Sequence, residues 1–186
     1  MFIISCQYDQ SQVTANSTSI PVTLLSTPLC IDPKGNEGLN SQKTEPTNPL
    51  YSLDKQQSSL VYYDKNTIVL TMPYWVKVTN SSVEDSEVKK HSFVLSYDRE
   101  AIKDTDTKLK LYISHVVDDA GETVTRSNFT YAYRAYSIRE ALTAFSNKTG
   151  KLPKYLELTA QTNNSKDELK EENGETSVEY DYAFTE

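Results

Sequence analysis

The chain has 186 residues, 37% of them hydrophobic, with 19 Lys and Arg against 26 Asp and Glu for a net charge of −7. That length holds one β-rich body of ordinary size with an extended arm, and the acidic balance works against phosphate backbones, so nucleic acid is not an expected partner. No apolar run approaches the roughly 18 residues that a membrane-spanning helix needs.

The opening MFIISC resembles a scrap of an export signal, but it lacks a basic start and a sufficient apolar run. It is therefore read as the start of a soluble product made without cleavage. Cys6 and Cys30 both fall in this leading region, where a disulfide would close a modest loop; without a strong secretion signal, free thiols are the expectation. Residues 1–55 are rich in Ser, Thr, Gln, Asn and Pro, with prolines at 21, 28, 33, 46 and 49 interrupting any regular element, and read as an extended N-terminal arm. Its apolar patch from Ile20 to Ile31 is too hydrophobic for a linker. Ile20, Val22, Leu24 and Leu25 are its expected docking residues, in an edge strand compatible with the proline spacing.

Residues 56–186 change character, to short apolar or alternating runs separated by polar turns. Strands are predicted at SLVYY, TIVLTM, YWVKVTN, HSFVLSYD, KLKLYISHVV, TVTRSNFTYAYRA, KYLELTAQT and TSVEYDYAF. Leu109, Leu111, Ile113, His115 and Val117 share one face of their run; Val178, Tyr180, Tyr182 and Phe184 share one face of theirs. VVDDAGETV reads as a tight hairpin with Gly121 at positive φ. NNSKDELKEENGET reads as a charged connection with room for a short helix. The fold class is all-β, a sandwich or jelly-roll-like antiparallel body with one accessory helix.

That helix is expected at about 137–149. Ser137 and Glu140 have capping-box spacing; Ile138, Ala141, Leu142 and Phe145 make one apolar stripe; Gly150 supplies a left-handed stop, and Pro153 prevents resumption before Leu156 and Leu158 continue as strand. The unit ALTAFSNKTGKLPKYL resembles archaeal pseudomurein-binding repeats, with Phe145, Gly150, Leu152, Pro153, Tyr155 and Leu156 matching. The resemblance covers residues 139–156, occurs once, and has Thr149 where an asparagine is expected. It implies a wall-polymer ligand.

Catalytic signatures are missing from the sequence. His91 and His115 are the two histidines, and His115 lies on the apolar face of its strand while the adjacent Ser114 points the other way, so a core histidine is the expectation. Cys6, Cys30, His91 and His115 lack the close ligand pairs of structural zinc, and no metal or other cofactor is predicted. Asp118 and Asp119 suit a turn, and Asp104 and Asp106 lack the glycine and distal glutamate of a calcium loop. The four arginines, Arg99, Arg126, Arg134 and Arg139, form no cluster. Asn16, Asn80, Asn128, Asn147 and Asn163 each begin N-x-[ST], which suggests an exposed surface.

The 13 tyrosines, against five Phe and one Trp, give apolar faces with polar tips, as interfaces favour. With that surface and a proline-punctuated arm, the sequence predicts a non-enzymatic structural protein of a large assembly. A virion is the expected setting, as a minor capsid, decoration, connector or tail protein contacting copies of itself and other structural proteins. The alternative is an extracellular or cell-surface module that binds a wall polymer or carbohydrate, with Tyr74, Trp75 and Tyr155 as stacking platforms.

Overall fold

The computed structural model describes residues 41–170 and 174–184 continuously, and before them 2–3, 6–8, 11, 13–14, 16–19, 21–24 and 29–30. The chain divides into two compact units, Met1–Pro33 and Lys34–Glu186.

In the first unit, β1 (Phe2–Ile3) pairs antiparallel with β4 (Leu29–Cys30), and β2 (Cys6–Tyr8) pairs antiparallel with β3 (Val22–Leu24). Thr14 and Ser17 close a turn between the inner strands, with the Ser17 amide donating to the Thr14 carbonyl at 3.0 Å and the Thr14 amide to Ser17 Oγ at 2.8 Å. Ile20 and Leu25 lie outside the described residues, as do the side chains of Leu24, Cys6 and Cys30.

The second unit is a two-sheet sandwich. One sheet has the order β5 (Ser59–Asp64), β6 (Thr67–Val76), β9 (Asn128–Ser137), paired antiparallel throughout. The other has the order β11 (Glu175–Asp181), β10 (Tyr155–Gln161), β8 (Lys108–Val117), β7 (His91–Ser96). Two helices accompany them, α1 (Asp85–Val88) and α2 (Arg139–Thr149). The all-β sandwich with an accessory helix is thus the fold. One pairing departs from an antiparallel body: β8 and β10 run parallel, because the chain between them crosses through β9 in the other sheet and α2 before returning.

Two expected runs, TIVLTM and YWVKVTN, are one continuous strand through Pro73. The proline is tolerated because β5 begins only at Ser59, opposite Thr71, so beyond that point Leu50 and Tyr51 replace it beside β6 and ask of Pro73 only its carbonyl, which accepts from the Tyr51 amide at 3.0 Å. The expected hairpin after β8 is a turn between sheets. Ala120 and Gly121 both take positive φ, and Glu122 donates to the Asp119 carbonyl at 2.9 Å, but β8 and β9 pair with different partners. The connection from 163 to 170 contains no helix.

The core lies between the sheets and under α2. Ile138, Ala141, Leu142 and Phe145 are buried as the stripe requires, and Leu109, Leu111, Ile113, His115 and Val117 are all buried on one face of β8. The helix start differs from expectation. Ile138 is the N-cap, no side chain caps it, and Glu140 Oε1 instead accepts from the Tyr97 hydroxyl at 3.4 Å. The Ile138 amide is engaged by the Asn66 carbonyl at 2.7 Å, which fixes where β9 ends and α2 begins. At the other end Gly150 holds φ 72°, with its amide on the Ser146 carbonyl. Because a Cβ is strained in that region, Gly150→Ala is expected to cost about 1 kcal/mol in urea unfolding.

Residues 43–54 are built into the sandwich as a strap. The Ser114 hydroxyl donates to the Thr44 carbonyl, the Thr47 amide to the His115 carbonyl at 3.0 Å, and the Val117 amide to Thr47 Oγ1 at 2.7 Å. Leu50, fully buried, bridges both sheets: it forms isolated bridges to Tyr74 of β6 and to Thr162 beyond β10. This portion of the expected arm is core, since Leu50 and Leu53 supply apolar surface that the sheets alone leave uncovered.

Candidate functional site

Two groups of side chains stand out in the second unit. The first is a buried polar network at the end of the sandwich where β7 begins and β8 finishes. His91 opens β7, His115 sits opposite Phe93 on β8, and their rings stack with centroids 5.1 Å apart. His91 Nδ1 lies 2.9 Å from His115 Nε2, His91 Nε2 lies 3.2 Å from Glu87 Oε1, and His115 Nδ1 lies 3.0 Å from the Pro49 carbonyl oxygen. Glu87 also accepts from the Lys77 amide at 3.0 Å and from Arg126 Nε at 2.6 Å. Arg126 completes its fork on Asp119, through Nη2 at 2.6 Å and Nη1 at 2.9 Å, and reaches Asp167 at 3.3 Å. Asp167 in turn accepts from Asn48 Nδ2 at 3.0 Å on the strap.

Burial sets the proton affinities here. It pushes the His115 ring down to about 3, assisted by the neighbouring His91, and pushes His91 down against the pull of Glu87. Burial works to raise Glu87, but the Lys77 amide and Arg126 outweigh it and hold the carboxyl below its ordinary value. The Arg126 guanidinium likewise lowers Asp119, whereas burial raises Asp167. Every ring nitrogen of the two histidines faces a protein group, and no group of three or more His, Cys, Asp or Glu among the described residues is arranged to hold a metal. The network joins the strap, α1, the β7–β8 pair, the segment before β9 and the loop after β10, with the two histidines, Glu87 and Arg126 buried.

The second group is on the surface. Across the β6–β9 ladder Trp75 pairs with Phe129 and Pro73 with Tyr131, and the Tyr51 amide bonds to the Pro73 carbonyl at 3.0 Å. This register stacks Tyr51 on Phe129, with centroids 4.1 Å apart and planes at 17°, sets Trp75 edge-on to Tyr51 at 5.1 Å, and places Tyr131 5.9 Å from Phe129. Phe129 and Tyr131 are each 40% exposed. Beneath them Trp75 is fixed by its Nε1 donating to the Asn163 carbonyl at 2.8 Å.

The expected platforms are therefore displaced. Tyr74 and Trp75 are 3% and 6% exposed: Tyr74 points into the core against Phe93 and His115, and Trp75 is the floor of the cluster. Neither offers a free ring face, because both lie in the stretch of β6 that the strap covers. Tyr155 is half-buried at the start of β10, away from these rings. Val22 is exposed in β3. Phe129 and Tyr131 alternate in the run NFTYAYRA, but the sequence does not say which face of that run is outward.

The fold places the chain among two-layer β-sandwiches with a capping helix. A crystal structure of a candidate lipoprotein from Bacteroides fragilis NCTC 9343 is similar to 97% of this chain and 81% of its own length, at 30% identity and a TM-score of 0.75. The chain belongs to the same family as that protein. An uncharacterised protein from Parabacteroides merdae ATCC 43184, at 14% identity with a TM-score of 0.55 over 97% of this chain and 81% of its own, shares the fold. So does a protein of unknown function from Bacteroides vulgatus ATCC 8482, at 7% identity and a TM-score of 0.51 over 98% of this chain and 71% of its own. No family model and no curated protein matches the chain.

Proposed function

We propose that this protein is a non-enzymatic binding module of the bacterial cell surface that holds a neutral polysaccharide on the cluster of Tyr51, Phe129 and Tyr131. The observation that carries the reading is the pair of exposed rings on a rigid strand, backed by a locked tryptophan. Flat aromatic faces with a polar tip suit the mixed apolar and hydroxyl surface of a sugar. A net charge of −7 favours an uncharged polymer over an anionic one. The local likeness of residues 139–156 to pseudomurein-binding repeats points to the same ligand class, although none of the three rings lies in it.

The candidate lipoprotein in the family supports the location. A virion component, the other expectation, has no support among the similar structures.

Two measurements test the proposal. Expressed in its native host, the protein is expected to be digested by a protease added to intact cells; a protein that stays protected until the cells are lysed removes the surface location. In affinity electrophoresis through neutral polysaccharides, Phe129→Ala and Tyr131→Ala are each expected to weaken retardation about tenfold, the loss of one ring contact. Retardation unchanged in the double variant, or absent with every polymer, removes the ligand.

A further inference from the structure

The buried network is short of one hydrogen. A carbonyl and a carboxylate only accept, so the series Pro49 O, His115, His91, Glu87 contains three contacts that each need an N–H or O–H, while two neutral imidazoles bring one hydrogen apiece. One contact therefore has two acceptors facing each other. Pro49 gains its one described donor from His115 Nδ1, whereas Glu87 Oε1 is already satisfied by Lys77 and Arg126; and the His91–Glu87 contact, at 3.2 Å, is the longest of the three. Both facts place the gap between His91 Nε2 and Glu87 Oε1.

The surrounding charge has the same sign as the gap. From α1 comes Glu87, from the turn after it Lys90, from the turn after β8 Asp119, from the segment before β9 Arg126, and from the loop after β10 Asp167. β6 contributes the Tyr74 ring, 4.8 Å from His91, and the uncharged Lys77 amide. Among these groups three carboxylates stand against two cations, with Lys90 and Asp119 at the solvent-exposed rim and Glu87, Arg126 and Asp167 enclosed.

We propose that the His91–Glu87 contact is a proton-binding site, empty while both rings are neutral and filled on acidification by one proton taken from solvent. Filling it makes His91 a donor at both nitrogens and completes an unbroken chain of hydrogen bonds from α1 through the β7–β8 pair to Pro49 on the strap. It also brings the cluster to zero net charge. His115 is not the acceptor, since its Nδ1–H is committed to Pro49 and its surroundings disfavour a second proton more strongly than those of His91.

Long-range ¹H–¹⁵N spectra of the full chain, recorded from pH 8 to pH 4, read both rings directly. The expected result is an Nδ1–H tautomer for both at pH 8, a single protonation of His91 below pH 6.5, and no titration of His115 above about pH 4. In Glu87→Gln the carboxamide oxygen keeps the place of Oε1 toward the Lys77 amide and Arg126 but carries no charge, and the His91 step is expected to move down by about one pH unit or more, a tenfold loss of proton affinity. An Nε2–H tautomer of His91 at pH 8, simultaneous titration of the two rings, or a step unmoved by Glu87→Gln overturns the proposal. Should the variant not fold, the tautomers and titration of the parent protein decide it.

Discussion

Replacing Arg126 with methionine is expected to lower stability by about 3–5 kcal/mol, among the largest effects of any single substitution in this chain. The guanidinium is almost wholly buried and is shared by Glu87, Asp119 and Asp167, whose side chains are also largely enclosed. Burial works against its charge, but the bonds to Asp119 and Glu87 more than offset that and raise its proton affinity. Methionine fills much of the same volume, so what is lost is the pairing: three carboxylates are left near one another with Lys90 as their cation. Urea unfolding at pH 7 should show the loss, with a melting temperature lower by roughly 10 °C. The deficit relative to the parent should shrink below about pH 4.5, as the carboxyls that Arg126 held ionised take up protons. Arg126→Lys should recover only part, because one ammonium cannot reproduce a fork on three partners. A loss below 1 kcal/mol at pH 7 refutes this account of the network.

What the sequence disclosed, and what it hid, follows from how local each signal is. The α2 stripe, the Gly150 stop and the return through Pro153 into β10 depend on residues within a turn or two of one another, and all were legible. The inward face of β8 was legible for the same reason, being a strict alternation. The capping box was a local reading that failed, because the Asn66 carbonyl arrives from another strand to hold the Ile138 amide and Tyr97 draws Glu140 away. Sheet membership was hidden too: nothing in VVDDAGETV tells a hairpin from a turn between layers, and the difference lies in pairings with β6 and β10 far along the chain. His115 read correctly as a core residue. Its partners did not show: Glu87 and His91 are four positions apart, but His115 lies 24 from His91, Arg126 39 from Glu87 and Asp167 41 from Arg126, in a sequence full of carboxylates from which only the fold selects those that matter. The aromatic cluster was half visible. A tyrosine-rich chain announces exposed rings somewhere, but Trp75 and Phe129 become neighbours only through the β6–β9 register.

Acid is expected to destabilise the protein well before the carboxylates titrate. His115 has a folded value near 3 against about 6.5 in the unfolded chain, so below pH 6.5 the unfolded state binds a proton that the native state refuses. The contribution of His115 is therefore complete above pH 6.5 and is lost at about 1.4 kcal/mol per pH unit as the pH falls toward 3. Between pH 7.5 and pH 4.5 that amounts to about 3 kcal/mol from this one ring. His91 is lowered in the same direction and adds to the upper part of the fall, until the pH passes its own folded value and its term stops growing. Glu87 and Asp119, both lowered, contribute further losses only below their ordinary carboxyl range, while Asp167, raised by burial, works the other way. The midpoint of urea unfolding, followed at half-unit steps of pH, should therefore begin to fall near 6.5 and not near 4.5. In His115→Gln, which keeps an N–H for Pro49 but cannot titrate, the drop between pH 7.5 and pH 4.5 should be smaller by about 3 kcal/mol. A profile that stays flat down to pH 5 in the parent protein means that water reaches the ring and that the strap is not closed over it.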